Sequence, residues 1–284
     1  MLSKNESKIC LLGDITVDEY LKLNNFSRSF IKKFKFSKNF LSKKGEVSLP
    51  LNLVNNLMIN PHFFREDCKI LFEDNNILAI HKPHNLHSHP LSYTEWDNCC
   101  SYLRSVGRND ILEVSENNYD RGLLYRLDFG TSGLLIFSKV EKLIKIFRES
   151  PKKKYYLAVV QGRINAHFHY QHYIDYYGEK KRKARAAISE NPNSEIKGEL
   201  VSFNEKRQLS LVLVELNEGK RHQIRVQLSS AGFPIYGDVL YGAQAAERIF
   251  LHAYNYQFSL GGEKYNQKDS DFTYADRYFS FEGI

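Results

Sequence analysis

Read for the period of its apolar positions, most of the chain alternates between short strands and short helices. KILFEDNNILAIHKP, Lys69 to Pro83, has an apolar run at Ile70–Phe72, a polar turn at Asp74, Asn75 and Asn76, and a second run from Ile77 to His81 closed by Pro83, the pattern of a β-hairpin. GLLIFSK predicts a buried strand over Leu134–Phe137, and an amphipathic helix follows from Val140 to about Glu149 with Leu143, Ile144 and Phe147 on one side. YYLAVVQG predicts a strand ending at Gly162. GELVSF and QLSLVLVEL alternate with period two, as half-buried antiparallel strands do, and HQIRVQLSSAG predicts a helix stopped at Gly232. Together these elements imply an α+β core, a largely antiparallel mixed central sheet flanked by helices. The segment Ala166–Asn193, basic and then turn-rich, reads as a long excursion from that sheet, a loop of functional length.

The first sixty-odd residues have a different texture. Phe26, Phe30, Ile31 and Phe34 fall at helical spacing with basic residues between them, Gly45 stops the pattern, strand signals after it are poor, and the segment ends at Pro61. The order of helix, basic helix and short strand resembles the small RNA-binding domain found in one small-subunit ribosomal protein and in several RNA-modifying enzymes. The expected division is therefore a basic N-terminal module over residues 1–64 and a second unit over 65–284.

Charge sharpens this picture. The 284 residues carry 40 Lys+Arg against 33 Asp+Glu, a formal net charge of +7. Tyr20 to Gly45 holds eight basic residues and no acidic ones; Lys142 to Arg185 holds twelve basic and three acidic, including KKRKAR from Lys180 to Arg185. Such blocks release counterions when they meet phosphates, which makes a nucleic acid the expected partner, although a solvated basic face is the plainer alternative. The chain has no apolar stretch of membrane-spanning length and its first residues lack a signal-peptide pattern, so it reads as soluble and cytoplasmic, with no membrane partner. Four cysteines without a CxxC pair argue against a zinc ribbon and structural disulfides.

Candidate chemistry centres on YRLDFGTSGLLIFSK, Tyr125 to Lys139. Asp128 precedes a Gly130–Gly133 turn leading into the buried strand, which sets a carboxylate at the mouth of the sheet, able to act as nucleophile, acid/base or metal ligand. The DFG letters at Asp128–Gly130 lack the other kinase strings, and Ser132 lacks the spacing of a nucleophile elbow. His81, His84, His87 and His89 lie within nine residues, but the first belongs to a strand and the rest to a Pro-bounded loop without tetrahedral spacing; no metal is expected.

KPHNLHSHP (Lys82–Pro90), RLDFGTSGLLIFSK, KYYLAVVQG (Lys154–Gly162), GKRHQIRVQLSSAGFPIYGDVLYG (Gly219–Gly242) and LHA (Leu251–Ala253) occur in that order. Together they closely resemble the RluA-type family of pseudouridine synthases, which isomerise uridine in structured RNA. The resemblance implies a pseudouridine synthase catalytic domain over 65–284. It places the family's nucleophilic aspartate on Asp128, its tyrosine on Tyr156 with Tyr155 out of register, and the arginine that pairs with the aspartate on Arg225. Arg126 falls on the arginine that enters RNA where the target base leaves the stack. Lys82, His89, Thr131, Lys154, Lys220, Arg221, His222 and Gln223, in or beside the same strings, are expected to contact RNA; the amides beginning the HQIR helix also suit a phosphate. An aspartate in a closed pocket needs a neighbouring cation to stay ionised, which fits Arg225. The implied reaction breaks the bond from ribose to uracil N1 and rejoins the base through C5. Asp128 attacks C1′ or abstracts a sugar proton, Tyr156 or water removes the C5 proton, and no cofactor is needed. The partner is ribosomal RNA of the large subunit or, alternatively, tRNA, and the chain is expected to be a monomer without an obligate protein partner. Tyr125 stands where the family usually has histidine, and Asn85 where its loop has glycine.

Two other readings compete: a noncatalytic RNA-binding or ribosome-assembly protein that keeps the fold, and a metal-dependent hydrolase built on the histidine-rich loop. The intact Asp128, Tyr156 and Arg225 set favours the isomerase.

Overall fold

Twelve strands and six helices make up a computed structural model that describes residues 6–11, 13–23, 32, 34–50, 63–91, 97–114, 121–178, 183–217 and 219–279. Phe26, Phe30, Ile31, Pro61 and Lys180–Arg182, which entered the sequence reading, lie outside these residues.

In the N-terminal part, β1 (Glu6–Cys10) pairs antiparallel with β2 (Glu46–Pro50). Between them lie α1 (Val17–Leu23) and the short α2 (Lys38–Leu41). Helix α1 starts where Thr16 and Glu19 cap each other: the Glu19 carboxylate accepts from Thr16 N–H at 2.8 Å, and Thr16 Oγ1 accepts from Glu19 N–H at 3.2 Å. Leu11, Val17, Leu21, Val47 and Leu49 form a small core of their own. The strand after Gly45 is thus real despite its weak signal, because Val47 and Leu49, on one side of the pleat, are buried against α1.

The rest is organised by one ten-stranded sheet. Its strands are β3 (Lys69–Glu73), β4 (Ile77–Lys82), β5 (Ser132–Ser138), β6 (Lys152–Gln161), β7 (His167–Tyr177), β8 (Lys183–Ala187), β9 (Ser194–Asn204), β10 (Leu209–Leu216), β11 (Leu251–Leu260) and β12 (Glu263–Lys268). The order is β3-β4-β5-β11-β6-β10-β9-β7-β8, with β12 on β11; β5 and β11 run parallel and the other pairs antiparallel. The β3–β4 hairpin closes as its sequence predicts, Asp74 Oδ1 accepting from the N–H groups of Asn76 (2.7 Å) and Ile77 (2.8 Å).

Helices α3 (Cys99–Ser105), α4 (Asn109–Glu113), α5 (Glu141–Glu149) and α6 (Gln223–Ser230) complete the unit. In β6, Tyr156, Ala158 and Val160 join one core cluster while Leu157 and Val159 join another, with Phe272, Tyr278 and Phe279 of the C-terminal segment. Burial on both faces explains why YYLAVVQ is a continuous apolar run and not an alternating one. The sequence placed a loop over 166–193, where β7 and β8 stand; β7 mixes polar and aromatic residues, and both strands are half-exposed. Strand β10 is buried almost throughout, more than its period-two reading implies.

Candidate active site

Asp128 lies in the segment that enters β5. Its backbone is fixed on both sides: Thr131 N–H donates to the Asp128 carbonyl at 3.1 Å, and at Leu127 the N–H donates to Ser88 Oγ (3.0 Å) while the carbonyl accepts from it (3.1 Å). Gly133 follows with φ +114°, and a Cβ there would collide with the backbone of Ala253, so only glycine lets β5 approach β11 this closely. The Asp128 side chain keeps 26% of its surface open.

Arg225, buried in α6, donates from Nη1 to Asp128 Oδ2 at 3.1 Å. The guanidinium is itself held by Asp238, which is 1% exposed: Nε donates to Oδ2 at 2.7 Å and Nη2 to Oδ1 at 2.9 Å. Burial pulls down the Arg225 pKa, but Asp238 and Asp128 outweigh it and hold the charge above its ordinary value. The planar fork explains why arginine suits this place: it grips one carboxylate in two bonds and presents a third donor to the other. His222 sits at the N-cap of α6 with a left-handed backbone, φ +59°. Its Nε2 is 3.8 Å from Asp128 Oδ2, and Nδ1 is 2.7 Å from the hydroxyl of Tyr241, whose ring lies 5.1 Å from the Arg225 guanidinium. Burial lowers the His222 pKa against the opposing pull of Asp128, which favours the neutral imidazole.

Tyr156 is buried on β6, its hydroxyl 2.8 Å from that of Tyr256. Tyr125 stacks on Tyr256 with centroids 4.3 Å apart and planes 8° off parallel, and the Lys154 ammonium lies over both rings. Burial raises the Tyr156 pKa, and the charge of Asp128 adds to it against the Tyr256 hydrogen bond. The phenol is therefore neutral, suited to hydrogen bonding more than to proton abstraction. The site is a partly open carboxylate braced by a buried cation, an arrangement able to act as a nucleophile or to accept a proton.

The family model described as RNA pseudouridylate synthase matches residues 76–230, more than half of the chain. The chain belongs to the RNA pseudouridylate synthase family. It is 28% identical over 216 residues to the ribosomal large subunit pseudouridine synthase D of Borreliella burgdorferi, a match covering 72% of this chain and 64% of that relative's length. An RNA pseudouridine synthase of Helicobacter pylori is 32% identical over 202 residues, 66% of this chain and 70% of that protein. In fold the chain is similar to the human RNA Pseudouridylate Synthase Domain Containing 1, with TM-score 0.61 and 22% identity over 76% of this chain and 87% of that one.

The structure brings Asp128, Arg225 and His222 together; the contacts of Tyr156 are with Tyr256. It buries several of the expected RNA contacts. Lys82 is 0% exposed: its Nζ donates to the carbonyls of Leu86 (2.6 Å), Pro83 (3.0 Å) and Phe129 (3.3 Å), and burial pushes its pKa down to about 8. Lys154 is buried over the tyrosines, and Thr131 is buried in the turn after Asp128. Gln223 is buried, accepting from Lys220 N–H and donating to the Glu195 carbonyl, each at 2.9 Å. His89 is buried too, its Nε2 3.4 Å from Nη1 of the exposed Arg126. Of the expected contacts, Arg126 and Arg221 remain exposed; Arg221 lies over the Tyr176 ring and half-buried Lys220 binds the Asn193 carbonyl. Sequence reasoning passed over Asp238 and Tyr241, although both stand in the quoted GDVLYG string; nothing there tells that one carboxylate faces a guanidinium in the fold. Among the described residues, no three His, Cys, Asp or Glu side chains gather as metal ligands, and no helix is long and apolar enough to cross a membrane.

Proposed function

We propose that the protein isomerises uridine to pseudouridine in structured RNA, with the ribosomal RNA of the large subunit as the first substrate to try and tRNA as the second. The observation that carries this reading is the Asp128 carboxylate, partly open to solvent and held by a guanidinium that Asp238 locks in place. Family membership and the relative named for the large ribosomal subunit support it. Arg225 holds and aims Asp128 through its hydrogen bond; Asp128 attacks C1′ or takes a sugar proton; the detached uracil turns against Tyr156 and rejoins through C5. The proton leaving C5 is balanced by one gained at N1, so no cofactor is required. With Tyr156 held neutral, water or the neutral His222 is the better acceptor for that proton. The expected compartment is the cytoplasm, and the expected active form a monomer.

Tritium release from large-subunit RNA transcripts labelled at uridine C5 tests the reading. Asp128→Asn is expected to lower release by roughly 1,000-fold or more while RNA binding persists. Equal release by variant and parent removes Asp128 from its role, and binding without release by the parent chain leaves the noncatalytic RNA-binding alternative. Residues 1–64 supply a second, basic contact in this reading. Deleting them is expected to weaken RNA binding and flatten its salt dependence, because several lysines leave the phosphate footprint; an unchanged salt titration removes that role.

A further inference from the structure

The residue after Asp128 is a phenylalanine that water reaches: Phe129 leaves 47% of its surface exposed. Its ring centroid lies 4.6 Å from that of half-buried His87, with the planes tilted by 44°. Both residues are held by their backbones. The Phe129 carbonyl accepts from Leu86 N–H and from the Lys82 ammonium, each at 3.3 Å, and the His87 carbonyl accepts from Cys99 N–H at 3.0 Å. Lys82 thus acquires a reason to be buried: three carbonyls on one ammonium tie the Pro83–Leu86 turn to Phe129. The backbones that carry the two rings are thus tied in place, and the rings pack against each other.

A fixed aromatic face beside a reactive carboxylate, with the exposed Arg126 guanidinium three residues before it, matches a nucleobase better than a protein. The patch is too small for a stable protein interface, while a base has an apolar face of this size and a phosphate that Arg126 can meet. When a uridine leaves the stack for Asp128, its neighbour loses one stacking partner. We propose that Phe129 and His87 form a stacking shelf for the unpaired nucleobase adjacent to the uridine presented to Asp128. The shelf deepens the isomerase reading and rests on it for the identity of the adjacent nucleotide.

The test uses the full chain and two fluorescein-labelled RNA strands of about 12 nucleotides, one of mixed sequence and one abasic at every position, so that phosphates are equal and only bases differ. Anisotropy titrations are expected to show the parent protein preferring the base-bearing strand. Phe129→Ala should lose roughly tenfold in affinity for that strand and none for the abasic one, with the same salt slope, and Phe129→Trp should restore the preference. Equal affinity of Phe129→Ala and parent for the base-bearing strand, or an equal loss on both strands, overturns the shelf. Tritium release by the parent protein is scored separately. Release together with an unaltered base preference in Phe129→Ala removes the shelf alone, whereas a Phe129-dependent base preference without release keeps the shelf and removes the isomerase.

Discussion

Two polar clusters of similar make-up meet different fates in this protein. Around Arg225, Asp128, Asp238, His222 and Tyr241 form one with it; around Ser132 of β5, His252, Asp269, His81, Arg248 and Tyr274 form the other. In the second, Ser132 Oγ is 2.9 Å from His252 Nδ1, His252 Nε2 is 2.9 Å from the Asp269 carbonyl, and Asp269 Oδ2 is 2.7 Å from His81 Nδ1. On paper this serine, histidine and aspartate suggest a hydrolase. Yet Ser132, His252 and Asp269 are at most 1% exposed, and Ser132 Oγ is also engaged by Arg248 Nη2 (2.7 Å) and the Tyr274 hydroxyl (2.9 Å). The sealed set satisfies buried polar groups and pins the C-terminal segment to the sheet. The open set differs in one respect that matters: Arg225 is fixed by Asp238, so Asp128 is braced without being enclosed. In the proposed reading, reactivity follows from a carboxylate with solvent access, not from residue types alone.

The contrast is sharpened most by Arg225→Met. It leaves Asp238 buried without a cation and Asp128 without its brace, so isomerase turnover should vanish and stability fall by about 3–5 kcal/mol in chemical denaturation. Activity retained per folded molecule would break the assignment of Arg225. Ser132→Ala probes the sealed set: it strips a partner from Arg248, His252 and Tyr274 and should cost about 1–3 kcal/mol, while turnover of the folded fraction stays at the parent value. A smaller effect is expected from pH. Burial pushes the His252 pKa down from 6.5 to about 4, against the pull of Asp269. A folded-state pKa below the unfolded one gives stability that is complete above about pH 6.5 and lost as pH falls toward 4, about 2 kcal/mol of it by pH 5. Melting temperatures recorded from pH 7.5 to 5 should decline accordingly, and His252→Gln should lessen that slope; an unchanged slope would assign the acid sensitivity to other groups.

Much of this was legible along the chain. The β3–β4 hairpin, β5, α5, β6 and α6 announced themselves through period, turn residues and stops, because each depends on neighbours a few positions away. Asp128 was legible from its string, and Arg225 through its place in HQIR. The region 166–193 was misread because β7 mixes polar and aromatic residues and β8 is short and polar, so the pairing of β7 with β9 and of β8 with β7 carries the signal and the local pattern does not. The burial of Lys82 and Lys154 was not legible, because a lysine in a basic string looks solvated until carbonyls or rings are seen around its ammonium.

By itself the sequence determined where the chain is apolar, where it must turn, which carboxylate stands before a buried strand and which strings mark the family. The tertiary structure alone decided which charges are buried, that Asp238 grips Arg225, that Ser132 is sealed while Asp128 is open, and that Phe129 has a fixed partner in His87. The division has a physical cause. Backbone propensity and hydrophobic period act over a few residues, whereas solvent access and the pairing of groups as far apart as Asp128 and Arg225 exist only once the sheet has closed around them.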